Sequence, residues 1–237
     1  MTMGKSVMKT LVIIPAYNEE ESLPNVIRDL REQASDVDIV VVDDGSRDAT
    51  ARTAEGLGVH VLRLPFNLGI GGAVQAGYRY AHRLNYDIAV QFDGDGQHVA
   101  AEIPSLVRPL EDGIADISVG SRFLTEGGYQ SPIFRKMGIW VFSGVLSRIL
   151  GMKVTDTTSG FRACNRQAIE FFSRIYPEDY PEVESLVLLH RAGFKIVERP
   201  VKMRDRTGGR SSITPVRSVY YMVKVLLAIF IDLMKKR

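Results

Sequence analysis

The residues best suited to chemistry in this chain are the carboxylates of Asp93-Gly94-Asp95, which follow the apolar run Ile88–Phe92. Carboxylates two positions apart at the end of a strand can point to one side and converge on a single cation. The glycine between them lets the backbone turn sharply and approach a ligand closely. Hard oxygen donors of this kind suit Mg2+ or Mn2+, ions that commonly ride on substrate phosphates. Asp93 and Asp95 are therefore the candidate metal ligands. The bland alternative is a polar turn, since Asp and Gly are common turn residues. His98, a lone histidine near a loop, is read as standing behind the ligands rather than as a ligand or base.

The surrounding pattern says what must position these groups. Short apolar strands are expected at Thr10–Ile14, Asp38–Val42, Val59–Leu62, Asp87–Phe92 and Ile117–Val119. Helical patterns lie between them near Glu21–Gln33, Asp48–Leu57, Gly71–Leu84 and Ala101–Leu110. Alternation of this kind predicts an α/β fold, a mainly parallel central sheet with helices on both faces. Ligands of such sheets sit beyond the carboxyl ends of the strands. Pro15-Ala16-Tyr17-Asn18-Glu19, Asp43-Asp44-Gly45-Ser46 and Asp93-Gly94-Asp95 all fall there, so one shared site is expected. The second half is built differently. A long apolar helix is expected at Ile133–Leu150, helices near Arg166–Ser173 and Glu182–Ala192, and a strand at Lys195–Arg199. The stretch Thr155–Arg162 reads as a loop. Gly69, Gly71, Gly72 and Gly77 do not complete a dinucleotide fingerprint, because Val74 takes its last position and no Gly-Lys-Ser/Thr follows. They are read chiefly as close helix packing, with Gly71 and Gly72 also able to let backbone approach a ligand.

The 237 residues are enough for a substantial core, and 45% hydrophobic with 24% charged is a globular composition. A single cysteine, Cys164, excludes an internal disulfide and fits a reducing compartment. No signal peptide is read at the start. The net charge of +2 conceals an asymmetry: residues 199–237 carry +8 and residues 1–198 carry −6. A basic tail implies attraction to an anionic surface or to phosphates. Nucleic acid is not expected as a partner, because no recognition motif accompanies the basic residues.

Val12-Ile13-Ile14-Pro15-Ala16-Tyr17-Asn18-Glu19-Glu20, Val41-Val42-Asp43-Asp44-Gly45-Ser46 and Asp93-Gly94-Asp95 together closely resemble family 2 glycosyltransferases of the GT-A fold. Asn67–Ala73, Gln97-His98, Gly120-Ser121-Arg122 and Thr158-Ser159-Gly160-Phe161-Arg162 look like the polyprenyl-phosphate branch, typified by dolichyl-phosphate mannose synthases. Longer strings, including Gln91–His98 and Asp156–Arg166, are closer to bacterial enzymes that load glucose or N-acetylglucosamine onto undecaprenyl phosphate. The resemblance spans roughly residues 10–230. It implies an inverting, metal-dependent transfer of one sugar from a UDP-sugar to a polyprenyl phosphate for cell-envelope glycan synthesis. GDP-mannose as donor and a glycan acceptor are the alternatives within the class. A non-catalytic nucleotide-sugar-binding subunit of a membrane complex is the alternative outside it. Pro15, Ala16, Tyr17, Asn18, Glu19, Asp43 and Asp44 would hold the base and ribose, with Asp93 and Gly94 at the diphosphate. The cation would bridge the donor phosphates at Asp93, Asp95 and Gln97. Arg122, Arg162 and Arg210 would act with Asp95 at the reacting groups, while Arg135, Ser159 and Arg162 would hold the acceptor phosphate. A general base stays unassigned, with Glu182 and Glu184 at the position where many relatives place one. Asp156 is expected to orient Arg162 or the acceptor loop.

A polyprenyl acceptor lies in a bilayer. Residues 1–214 are expected to form the catalytic domain and residues 215–237 an interfacial helix. Val219–Met234 is strongly apolar but interrupted by Lys224 and Asp232, and a spanning helix wants about twenty apolar residues. Tyr220, Tyr221 and Lys235-Lys236-Arg237 suit a helix lying in the membrane surface, so the protein is expected to be peripheral on the cytoplasmic face. A small membrane-protein partner or a homo-oligomer is the other route to the bilayer. Removing residues 215–237 should release the protein from anionic vesicles in a co-sedimentation assay. Nucleotide-sugar binding, measured by calorimetry on the same protein, should be nearly unchanged. Loss of donor binding would make the segment part of the core.

Overall fold

The computed structural model describes residues 8–124, 143–149, 151, 153–178 and 181–204. Arg135, Arg210, most of the expected helix Ile133–Leu150, and the expected interfacial helix of residues 215–237 lie outside them. Strand β1 is Thr10–Ala16, followed by α1 Leu23–Gln33, β2 Asp38–Asp43, α2 Thr50–Gly56, β3 His60–Arg63, α3 Gly69–Arg83 and β4 Ile88–Gln91. A 3-10 turn at Ala100–Glu102 runs into α4 Ile103–Glu111, then β5 Ile117–Ser121. A helix over 143–149, here α5, precedes β6 Arg162–Asn165, α6 Arg166–Arg174, α7 Pro181–Arg191 and β7 Ile196–Pro200.

These elements follow from local pattern. All seven residues of β1 are buried, as a strand covered on both faces requires. Helix α1 carries Leu23, Val26, Ile27 and Leu30 on one stripe, and a proline sits in its first turn, where a missing N–H costs nothing. Asn165 caps α6, its side chain accepting from the amide of Ala168.

The seven strands order as β3-β2-β1-β4-β6-β5-β7. Every pairing is parallel except those of β6, which runs antiparallel to both β4 and β5. Residue alternation sends Leu11, Ile13, Val40 and Val42 to one face, under α3, α6 and α7. Val12, Ile14, Val41 and Val90 go to the other, under α1 and α4. The expected loop Thr155–Arg162 thus leads into a strand that pattern reading passed over.

The glycines of α3 set its distance from the sheet. A Cβ at Gly77 would lie 2.2 Å from Cγ2 of Ile13, and one at Gly71 would lie 2.3 Å from the carbonyl oxygen of Pro177. Protein atoms occupy the space at both glycines, as close packing requires. Gly77→Ala should therefore cost about 1–3 kcal/mol of stability through overpacking. Its denaturant midpoint should fall at unchanged slope.

Candidate active site

The carboxyl ends of β1, β2 and β4 adjoin, and side chains tie their turns into one surface. Pro15 and Ala16 end β1 and are buried, whereas Tyr17 is exposed. Asn18 adopts a left-handed backbone (φ 56°), which Asn tolerates better than most residues. It is not the cap of α1 but a link to the next turn. Its Oδ1 accepts the amide of Arg47 at 2.9 Å, and its own amide donates to Ser46 Oγ at 3.0 Å. The Glu19 amide donates to Thr50 Oγ1. Ser22 Oγ lies 2.7 Å from both Glu19 Oε2 and the carbonyl of Gly94, joining the first turn to the Asp93-Gly94-Asp95 turn.

The second turn differs from expectation in one residue. Asp44 accepts the amides of Leu68 and Gly69, at 2.7 and 2.9 Å, so both its oxygens hold the start of α3. Burial pushes its carboxyl up; these amides oppose that and neighbouring Asp43 reinforces it. Asp44 thus secures the turn, while Asp43, also buried, accepts the Ser46 amide on Oδ1. Gly45 requires its residue type twice over. Its φ is 68°, and a Cβ would lie 2.8 Å from the Asn67 amide nitrogen.

Asp93 leaves the end of β4 with its side chain about one third exposed, at 36%. Burial works against its charge, but His98, Gln91 and Arg162 outweigh burial and hold the carboxyl below its ordinary range. Asp95, half buried, accepts the Gln97 amide at 3.0 Å, which closes the turn. The reversed strand β6 supplies the facing wall. Gln91 pairs with Arg162, so Ser159-Gly160-Phe161 lies beside Phe92-Asp93. A Cβ at Gly160 would sit 3.1 Å from each oxygen of Asp93.

Two expected anion clamps turn out to be internal. Arg122 is buried, and its Nε and Nη2 form a two-point ion pair with Asp156 at 2.6 and 2.7 Å; Nη2 also reaches Thr158 Oγ1. Asp156 therefore orients Arg122, not Arg162. Glu198 of β7 accepts the amides of Thr155 and Asp156, so the whole turn is held from the sheet. Arg162 is 1% exposed. It donates to Ser185 Oγ at 2.5 Å and to the carbonyls of Ser159 and Glu182 at 2.7 and 3.2 Å. Its Nε, also buried, has no hydrogen-bond partner among the described residues. Arg162 sits where its charge faces both Asp93 and Glu182. Burial pushes the Glu182 carboxyl up, Arg162 opposes this and Asp93 adds to it. Ser159 is also buried, with Oγ lacking a hydrogen-bond partner among the described residues.

Sequence reading did not anticipate the supporting cast. Tyr176 reaches Gln91 Oε1 at 3.4 Å, and Ser185 on α7 holds Arg162. Arg204 pairs at two points with Asp29, at 3.0 and 2.9 Å. Its amide donates to the Gln97 carbonyl, and Met203 bridges to His98. Among the described residues, no group of three His, Cys, Asp or Glu closes on a common point, and no helix is long and apolar enough to cross a membrane.

Comparison with known proteins agrees with this architecture. The family model described as glycosyl transferase family 2 matches residues 11–172. An undecaprenyl-phosphate mannosyltransferase of Micrococcus luteus is 36% identical over 216 residues, covering 87% of this chain and 88% of its own. A polyprenol monophosphomannose synthase of Mycolicibacterium smegmatis is 33% identical, covering 87% and 81%. A UDP-N-acetylglucosamine–dolichyl-phosphate N-acetylglucosaminyltransferase of Methanococcus voltae is 32% identical, covering 81% and 84%. Among solved structures, glucosyl-3-phosphoglycerate synthase from Mycobacterium tuberculosis, in complex with Mn2+, UDP and glucosyl-3-phosphoglycerate, superposes with a TM-score of 0.71 at 21% identity. That match covers 96% of this chain and 80% of the other. The likeness extends to the α/β GT-A fold.

The Arg122–Asp156 pair yields a stability prediction. Removing one partner strands a buried charge, which costs about 3–5 kcal/mol. Asp156→Ala should lose that much in equilibrium unfolding, whereas Asp95→Ala, in a partly exposed turn, should lose only about 0.5–1.5 kcal/mol, the worth of its bond to the Gln97 amide.

Proposed function

The chain belongs to glycosyl transferase family 2, and from that premise we propose that it transfers a single hexose from a nucleoside-diphosphate sugar to a polyprenyl phosphate. The observation that carries the reading is a partly exposed Asp93 at the junction of three strand-end turns. Relatives named for polyprenyl, undecaprenyl and dolichyl phosphates support the acceptor class. The expectation of a UDP-glucose or UDP-N-acetylglucosamine donor shares its place with GDP-mannose, because relatives named for mannose and for N-acetylglucosamine are alike in identity.

The residues fit a divalent cation. Asp93 and Asp95 are hard oxygen donors on one turn. With fewer than three such protein groups converging among the described residues, the remaining ligands would come from the donor's phosphates. A bound Mg2+ or Mn2+ would neutralise charge building on the departing nucleoside diphosphate. Asp93 and Asp95 would hold it, with Gln97 beside them. Tyr17, Asn18 and Asp43 line the edge assigned to base and ribose. A phosphate monoester is largely dianionic at neutral pH, its second pKa being about 6. Such a nucleophile needs positioning more than deprotonation, so Glu182 and Glu184 are not required as a base. In-line attack on an α-linked donor gives a β-linked product.

The test is an assay of purified full-length protein with radiolabelled UDP-glucose, UDP-N-acetylglucosamine and GDP-mannose, each with undecaprenyl phosphate and Mn2+. One donor should give product that extracts into organic solvent. EDTA or Asp95→Ala should abolish it. Water-soluble product with a glycan acceptor, or full activity in EDTA, would overturn the acceptor or the metal part of the proposal respectively.

A further inference from the structure

His98 is 1% exposed, and neither ring nitrogen has a partner with hydrogen-bond geometry among the described residues. A buried polar atom left so is uncommon and calls for an explanation. Asp93 lies beside it: Nε2 is 3.0 Å from Oδ2, without the geometry of a well-formed hydrogen bond. The ring cannot readily turn elsewhere. It stacks on Phe161, with centroids 4.6 Å apart and planes 28° apart, and meets Phe92 edge-on at 5.3 Å. The His98 backbone is pinned by its bridge to Met203. On another side of the same carboxylate, the missing side chain of Gly160 leaves room for both Asp93 oxygens; a Cβ there would be 3.1 Å from each and 3.0 Å from Gln91 Nε2.

The geometry points to a seat for the Asp93 carboxylate, in which the His98 imidazole fixes its orientation before any ligand arrives and the missing side chain of Gly160 leaves room for it. His98 is then a positioning residue: it acts on the divalent cation through Asp93. The inference rests on the cation role proposed above. Groups that hold a metal-binding carboxylate from behind spare the ion the cost of ordering it, and their loss commonly weakens metal binding 10–100-fold. The competing account makes His98 a flat filler between two phenylalanines. The two accounts separate at one substitution, because phenylalanine keeps the ring and its stacking but removes the nitrogens.

Mn2+ binding is measured by calorimetry and by electron paramagnetic resonance on the full chain, with UDP or GDP, whichever the wild-type protein binds more tightly. H98F should raise the Mn2+ dissociation constant by about tenfold or more while its melting temperature stays near that of wild type. H98Q, which restores a donor, should recover part of the loss. G160A, which leaves the histidine intact, should weaken Mn2+ binding in the same sense. Wild-type Mn2+ affinity in H98F overturns the seat. Absence of Mn2+ binding by the wild-type protein overturns the metal role itself, a separate result. Should H98F fail to fold, 15N spectra of wild-type imidazoles decide: the His98 Nε2 resonance must move when Mg2+ and the nucleoside diphosphate are added, and a stationary resonance overturns the proposal.

Discussion

Strand β6 runs the wrong way through an otherwise parallel sheet, and the site depends on that reversal. A parallel strand between β4 and β5 would deliver its preceding loop to the opposite edge, away from Asp93. Running antiparallel, β6 starts where β4 and β5 end. The register Gln91 to Arg162 and Val119 to Arg162 then lays the Ser159–Phe161 backbone beside the Asp93 carboxylate. Three turns from parallel strands make one wall, and a single reversed connection makes the other. Each wall needs fastening, because turns gain little from apolar burial. Ser22, Asn18 and Asp44 fasten the first. Arg122, Asp156 and Glu198 fasten the second.

Charge placement follows the same division. The Arg122–Asp156 pair is satisfied at two points and gives the turn a fixed shape. Arg162 is different. Among the described residues its hydrogen bonds go to two carbonyls and a hydroxyl, neutral acceptors that solvate a guanidinium without cancelling it. Its field therefore extends to Asp93 and Glu182. It helps to keep the first ionised, while burial leaves the second pushed up. Two carboxyl groups facing one buried cation are thus driven apart in proton affinity by environment alone.

Much of this was legible in the chain. Strands β1, β2 and β4 are short apolar runs between helical patterns, and their polar ends announced a shared edge before any coordinate did. Strand β6 escaped because Arg162-Ala163-Cys164-Asn165 is four residues long, opens on a charge and follows a polar motif that reads as loop. The roles of Arg122, Arg162 and Asp44 escaped for a deeper reason. An arginine's type says what it can bind, not what it has bound. The partners of Arg122 and Asp44 lie 34 and 24 residues away, in places that only strand order and register bring near. Gly71 and Gly77 were readable as packing residues, yet the atoms they make room for, Pro177 and Ile13, were not.

The bond from the Arg204 amide to the Gln97 carbonyl has a mechanical consequence. It returns the polypeptide, after β7, to the rim of the Asp93-Gly94-Asp95 turn and pins it there with Asp29. The segment after β7 and the Asp93-Gly94-Asp95 turn thereby form one mechanical unit, so a displacement of either is felt by the other.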